Sequence, residues 1–125
     1  MQTLPKVLLV DGNPDFSYTV NLTLDAAGYH LLTAKDGQEA LNILPTQPVH
    51  LVLSEATLPD MTGYQLYRRL RSNPEWAGIP FVVLTANGDH HPTTPIPDAH
   101  LSKPMRPVDL IAAVRRHISP LMSLT

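Results

Sequence analysis

No cysteine occurs anywhere in the 125 residues, which excludes disulfides, thiol catalysis and thiolate metal sites and fits a reducing compartment. No apolar run approaches the ~20 residues needed to span a bilayer, and Met1-Gln2-Thr3-Leu4-Pro5-Lys6 lacks the charged-then-apolar form of a signal peptide. The chain is therefore expected to be soluble and cytoplasmic. Charge of one sign is also scarce. A net charge of −2 and an isoelectric point near 6.3 provide no basic field for nucleic acid or an anionic membrane surface, so neither is expected as a partner. What the chain does have is 43% hydrophobic residues, enough for one buried core. A single domain over 1–125 is expected, with its core at about residues 6–118. Thirteen prolines, roughly twice the ~5% average, imply many chain breaks and little room for long helices.

Short apolar runs alternate with segments of helical spacing. Lys6-Val7-Leu8-Leu9-Val10, ending at Asp11-Gly12-Asn13-Pro14, has the form of a strand buried on both faces and followed by a turn. Asp15 to Ala27 carries an imperfect helical stripe of Phe16, Val20, Leu22, Leu24 and Ala27, with Gly28 where a left-handed cap is wanted. Tyr29 to Thr33 reads as a second strand. Asp36 and Glu39 suggest a capping box for a helix that stops before Pro45. His50 to Ser54 and Pro80 to Leu84 read as strands on either side of a helix from Gly63 to Ser72, in which Tyr64, Leu66, Tyr67 and Leu70 share a face. Ala99 to Ser102 suggests a short fifth strand. Pro107 opens a last helix to about His117, with Leu110, Ile111 and Val114 inward.

Strands alternating with helices predict an α/β fold with a parallel sheet covered on both faces. Such sheets place their sites at the carboxyl ends of the strands. Here those ends are Asp11, Glu55, Thr85 and Lys103, each directly after an apolar run. Two acids, a hydroxyl and an ammonium are thus gathered at one edge of one sheet.

Taken in order, these motifs resemble the response-regulator receiver family of two-component signalling, over about Lys6 to His117. Lys6 to Asp11 resembles its first strand and the first of its paired metal-binding acids. Leu58-Pro59-Asp60-Met61-Thr62-Gly63 resembles the Pro-x-Met-x-Gly loop after the phosphoacceptor. Leu84-Thr85-Ala86 resembles the strand end bearing the switch hydroxyl, and Leu101-Ser102-Lys103-Pro104 resembles the family's Lys-Pro pair, where a cis peptide bond is found. The resemblance implies a doubly wound, flavodoxin-like sheet of five parallel strands in the order 2-1-3-4-5. It also implies a signalling role with a histidine kinase, an output domain or a second copy as partner.

The family's chemistry has an aspartate carboxylate attack a phosphoryl group clamped by Mg²⁺, while a lysine neutralises developing charge. In this chain the nucleophile position falls on Glu55, one methylene longer than aspartate, and Gly12 stands where the family has a second Mg²⁺-binding acid. Asp11 is left as at best a weak Mg²⁺ site. No cofactor and no enzymatic activity are expected, and the predicted function is phosphorylation-independent protein interaction. The alternative is a working phosphoacceptor with an altered site. Glu55, within reach of Lys103, is read either as a constitutive mimic of the phosphorylated state or as part of a salt-bridged structural cluster. Ser54 should point away from the site, and Asp60 lies in the loop beyond it.

The stretch from Ala86 to Asp98 is shorter than the family's crossover, and three prolines in Pro92-Thr93-Thr94-Pro95-Ile96-Pro97 predict a fourth helix missing or reduced to a turn. His100 takes the place of the family's switch aromatic, and reads more simply as a partly exposed strand histidine. Asp89-His90-His91 lacks the spacing of a zinc site. Arg68, Arg69, Arg71, Arg115 and Arg116 read as solvated helix surface, and Trp76 either covers the base of the sheet or stands exposed. A nucleotide-binding flavodoxin is disfavoured because Asp11 and Asp15 flank the turn where phosphate would sit.

Overall fold

The computed structural model describes residues 4–86 and 97–118. Its elements are β1 (Lys6–Val10), α1 (Pro14–Ala26), β2 (His30–Ala34), α2 (Gly37–Ile43), a 3-10 turn (Leu44–Thr46), β3 (Leu51–Glu55), α3 (Gly63–Arg71), β4 (Phe81–Thr85), β5 (Ala99–Ser102) and α4 (Pro107–His117). All five strands pair in parallel, in the order β2-β1-β3-β4-β5, which is the expected doubly wound sheet. The expectations of a lost helix before β5 and of a loop histidine pair fall on residues 87–96, outside the described residues.

The central strands are apolar without alternation because each of their faces meets a layer of helices. Leu8, Val10, Val52, Phe81 and Val83 pack with Ala40, Tyr64, Leu66, Tyr67 and Leu70 beneath α2 and α3. Their chain neighbours Val7, Leu9, Leu51, Leu53, Val82 and Leu84 point the other way and pack with Val20, Leu24, Leu110 and Val114 beneath α1 and α4. Trp76 is half-buried against the first cluster, so it covers the base of the sheet. In α1 the buried face is Val20 and Leu24 flanked by Phe16 and Ala27, whereas Leu22 is 54% exposed. The expected stripe includes Leu22, but that residue sits about 200° around the helix from Val20. In α4, Ala113 rather than Ile111 joins Leu110 and Val114 as buried.

Caps set the helix directions. The Asn13 side chain accepts the N–H groups of Asp15 and Phe16, Pro14 starts α1, and Gly28 follows its C-cap at φ 94°. At α2 the expected box is half formed: Asp36 accepts the Glu39 N–H at 2.8 Å, but Glu39 reaches back to the Lys35 N–H. The complete box belongs to α3, where Thr62 and Gln65 bond reciprocally. Arg68, Arg69, Arg115 and Arg116 are exposed as expected, but Arg71 is not. It donates to the Ile79 carbonyl and to Asp98 at 2.8 Å, and stacks 4.5 Å from the Tyr67 ring centroid, tying α3 to the approaches of β4 and β5.

At the opposite edge of the sheet from the strand-end acids, the Lys6 N–H donates to His50 Nδ1 at 2.9 Å, joining β1 to β3. Burial, and then the charge of Lys6, hold the imidazole below its ordinary value of 6.5. The unfolded chain therefore takes this proton more readily than the folded one. The contribution of His50 to stability is complete above pH 6.5 and declines as pH falls below it toward the folded value. The urea midpoint of the wild type should accordingly drop between pH 7.5 and 5.5 more than that of His50→Asn, whose amide oxygen can still accept the Lys6 N–H. Parallel pH curves for the two proteins would refute this.

Candidate functional site

β1, β3 and β5 deliver Asp11, Glu55 and Lys103 to one edge of the sheet, and the three side chains meet. Lys103 Nζ lies 2.6 Å from Asp11 Oδ2 and 3.3 Å from Glu55 Oε1. The Asp11 side chain is fully buried, that of Lys103 is 20% exposed and that of Glu55 29%. Thr85 joins through its backbone, its carbonyl accepting the Lys103 N–H at 2.8 Å. The Lys103–Pro104 peptide is cis, as the resemblance implies. Ser54 is buried and donates to the Glu55 carbonyl, on the α3 side of the sheet and away from the lysine. His100 pairs in register with Val83 and faces α3, where its Nε2 lies 3.0 Å from the Tyr64 hydroxyl.

One contact in the cluster has no signal in the sequence: the Phe16 ring, at the start of α1, lies with its centroid 4.2 Å from Lys103 Nζ. A second contact without a signal in the sequence lies apart from the cluster: the Asp60 carboxylate accepts the N–H groups of Gly37 and Gln38 at 2.9 Å each and so fastens the loop after β3 to the start of α2. Desolvation pushes this carboxyl up, but the hydrogen bonds from Gly37 and Gln38, with the charge of Arg69, leave it below the usual aspartate value. Asp60 is thus engaged in structure, and its carboxylate points to α2.

The Mg²⁺ implied by the resemblance does not fit these residues. Such an ion is usually held by one or two carboxylates together with waters and phosphate oxygens. Gly12 contributes no side chain. Both oxygens of Asp11 are engaged, Oδ1 by the Asn13 N–H at 2.9 Å and Oδ2 by Lys103, and Glu55 shares the same ammonium. Among the described residues no group of three or more His, Cys, Asp or Glu is placed to hold a metal ion. Gly12 is not needed for its backbone shape: its φ lies outside the left-handed region, and a β-carbon there would make only ordinary contact with the Lys35 carbonyl, at 3.5 Å.

Gly63 is a different case. A β-carbon on it would stand 2.3 Å from the Glu55 carbonyl oxygen, so the start of α3 packs against the end of β3 at a distance only glycine allows. The Gly63 N–H also donates to the Ala56 carbonyl at 2.8 Å. This close approach explains the glycine that ends the Leu58-to-Gly63 loop.

Residues 7–115 match the response regulator receiver domain family. Among curated proteins, the chain is 36% identical over 93 residues to the transcriptional regulatory protein GlrR of Escherichia coli, and 35% identical over 85 residues to a probable chemotaxis protein CheY of Rhizobium etli. These alignments cover 74% and 67% of this chain, and 19% and 66% of the relatives. The chain spans 46% of a third relative, a probable transcriptional regulator of Guillardia theta. Among solved structures it is similar to the receiver domain of a sensor histidine kinase from Pseudomonas aeruginosa, with TM-score 0.84 and 27% identity over 93% of this chain and 98% of that one. That structure has a magnesium ion coordinated in its active-site cleft. A chemotaxis response regulator of Vibrio cholerae aligns with TM-score 0.82 and 28% identity over 93% of this chain and the whole of that one. Sheet order, the match over residues 7–115 and the likeness to solved receiver domains agree, and this chain belongs to the response regulator receiver domain family.

Proposed function

We propose that this receiver works in two-component signalling as a phosphorylation-independent interaction module, set by folding rather than by a phosphodonor. The observation that carries this reading is the shared ion pair: the ammonium that would meet an incoming phosphoryl group is already held by Asp11 and Glu55. Glu55 stands at the phosphoacceptor position with its carboxylate one methylene further from the backbone than an aspartate would place it. In-line attack tolerates misplacement of only about 1 Å, and no second acid at Gly12 helps to hold a metal against the donor. The module has no self-phosphorylation chemistry in this reading, needs no cofactor, and meets its partner in the cytoplasm. That partner is a histidine kinase, an output domain or a second copy.

Incubation of the protein with acetyl phosphate and Mg²⁺, followed by intact mass measurement, tests the proposal. The wild type should gain no phosphoryl group. A base-labile, acid-stable phosphoryl adduct on the wild type would overturn it in favour of a working phosphoacceptor.

A further inference from the structure

The nine residues of α3 include three arginines, Arg68, Arg69 and Arg71, and no acid, on a chain whose net charge is −2. Arg71 is satisfied within the fold by the Ile79 carbonyl, Asp98 and the Tyr67 ring. Arg68 and Arg69 are exposed, and neither guanidinium has a hydrogen bond or an ion pair among the described residues. A solvated helix surface usually answers such charges from three or four residues away. Around Arg68 and Arg69 those positions are Tyr64, Gln65, Leu66, Ser72, Asn73 and Arg71, which offer no acid and one like charge. The dipole of α3 favours a cation in its last turn, which Arg71, nearest the end, already supplies.

Gln65, Arg68, Arg69 and Ser72 share the face of α3 opposite the buried Tyr67 and Leu70. They line an open groove of about 790 Å³, bounded at the loop after β3 by Asp60 and Met61. Asp60 does not answer the arginines: its two oxygens accept the Gly37 and Gln38 N–H groups, and it forms no ion pair with Arg69. The groove therefore presents planar forks of N–H donors with no acceptor matched to them, a surface whose complement is a carboxylate.

We propose that this groove on α3 is a docking surface for an acidic segment of another protein, with Arg68 and Arg69 each taking a carboxylate of the partner. The inference rests on the reading of this receiver as an interaction module, and names its surface and the chemistry of its partner. Two unpaired arginines neutralise too few phosphates to hold nucleic acid on a chain of charge −2, so charge complementarity favours a peptide. Pairs on so open a surface make a contact that is modest and salt-dependent.

Fluorescence anisotropy of a labelled peptide of repeated Glu-Ala-Ala-Glu units tests this, with its glutamine counterpart and oligothymidylate as comparisons. The wild type should bind the glutamate peptide, at least about fivefold more weakly in 0.3 M salt than in 0.02 M salt. At about 0.1 M salt, Arg68→Glu with Arg69→Glu should weaken binding at least about tenfold, whereas Arg115→Glu with Arg116→Glu, the same change of charge on α4, should weaken it less than about twofold. Melting curves check that each variant is folded, and Arg68→Glu and Arg116→Glu alone repeat the comparison with half the change of charge. Equal weakening on the two helices would reduce the effect to net charge and overturn the proposal, as would a wild type that binds no peptide or holds the glutamine peptide as tightly. Oligothymidylate held as tightly and released by the same α3 variant would make the partner a nucleic acid, and a wild-type dimer lost in that variant on sedimentation would make it a second copy. Either result overturns the choice of occupant. A wild type that takes a phosphoryl group from acetyl phosphate yet binds the peptide through α3 would instead sink the functional reading and leave this inference standing.

Discussion

Restoring both acids, Gly12→Asp together with Glu55→Asp, is expected to convert an inert site into one that takes a phosphoryl group from acetyl phosphate in the presence of Mg²⁺. The scaffold allows both changes. Gly12 has ordinary φ and room for a β-carbon, so an aspartate there costs no backbone strain and adds a carboxylate beside Asp11. Glu55→Asp shortens the side chain by one bond, about 1.5 Å, which draws the carboxylate back from Lys103 toward the strand. The cluster then carries three acids against one lysine, and its −2 charge favours a divalent ion over the present pairing. With the ion bound, an oxygen of the shortened carboxylate can attack phosphorus as the bond to acetate breaks, and acetate leaves. Either substitution alone should do little, because one lacks the ion and the other the aligned nucleophile, so the effect is strongly non-additive. A double variant that folds, binds Mg²⁺ and still gains no mass would locate the defect outside these positions.

How much of this site is legible in the sequence depends on how local its causes are. The four strand ends can be placed at one sheet edge because each ends an apolar run, and parallel strands bring such ends together. The ladder nevertheless extends one residue beyond two of those runs, β3 reaching Glu55 and β4 reaching Thr85, and β2 likewise reaches Ala34, one residue past its expected end. Glu55 pairs with Leu84 and Thr85 with Ser102, since backbone hydrogen bonding continues where side chains have already turned polar. Contacts with no local pattern cannot be read. Asp60 to the start of α2, Arg71 to Asp98 and Phe16 to Lys103 each join residues far apart in sequence, and nothing in their immediate neighbours marks them as partners. Glycines carry the same lesson. In sequence Gly12 and Gly63 are alike, whereas in the fold one has room for a side chain and the other is a point of contact between two elements.

That contact predicts the largest loss of stability from a single methyl group in the chain. Gly63→Ala would place a β-carbon 2.3 Å from the Glu55 carbonyl oxygen and 3.1 Å from Ser54 Oγ. The first of these is backbone, held in the β3 ladder, and cannot rotate away as a side-chain end could. Either α3 lifts from the sheet, breaking the Gly63 N–H bond to Ala56 and loosening Tyr64 and Leu66, or the end of β3 is pushed aside. Overpacking of this kind costs about 3 kcal/mol, which for a domain of this size lowers Tm by roughly 10 °C. Because the displaced backbone belongs to Glu55, the ion pair with Lys103 should loosen together with the fold. Gly78→Ala is the matched control: nothing lies within 4 Å of its β-carbon position, and its Tm should stay within about 2 °C of the wild type. Equal melting temperatures for Gly63→Ala and Gly78→Ala would show that the close approach of α3 to β3 is not what fixes Glu55 against Lys103.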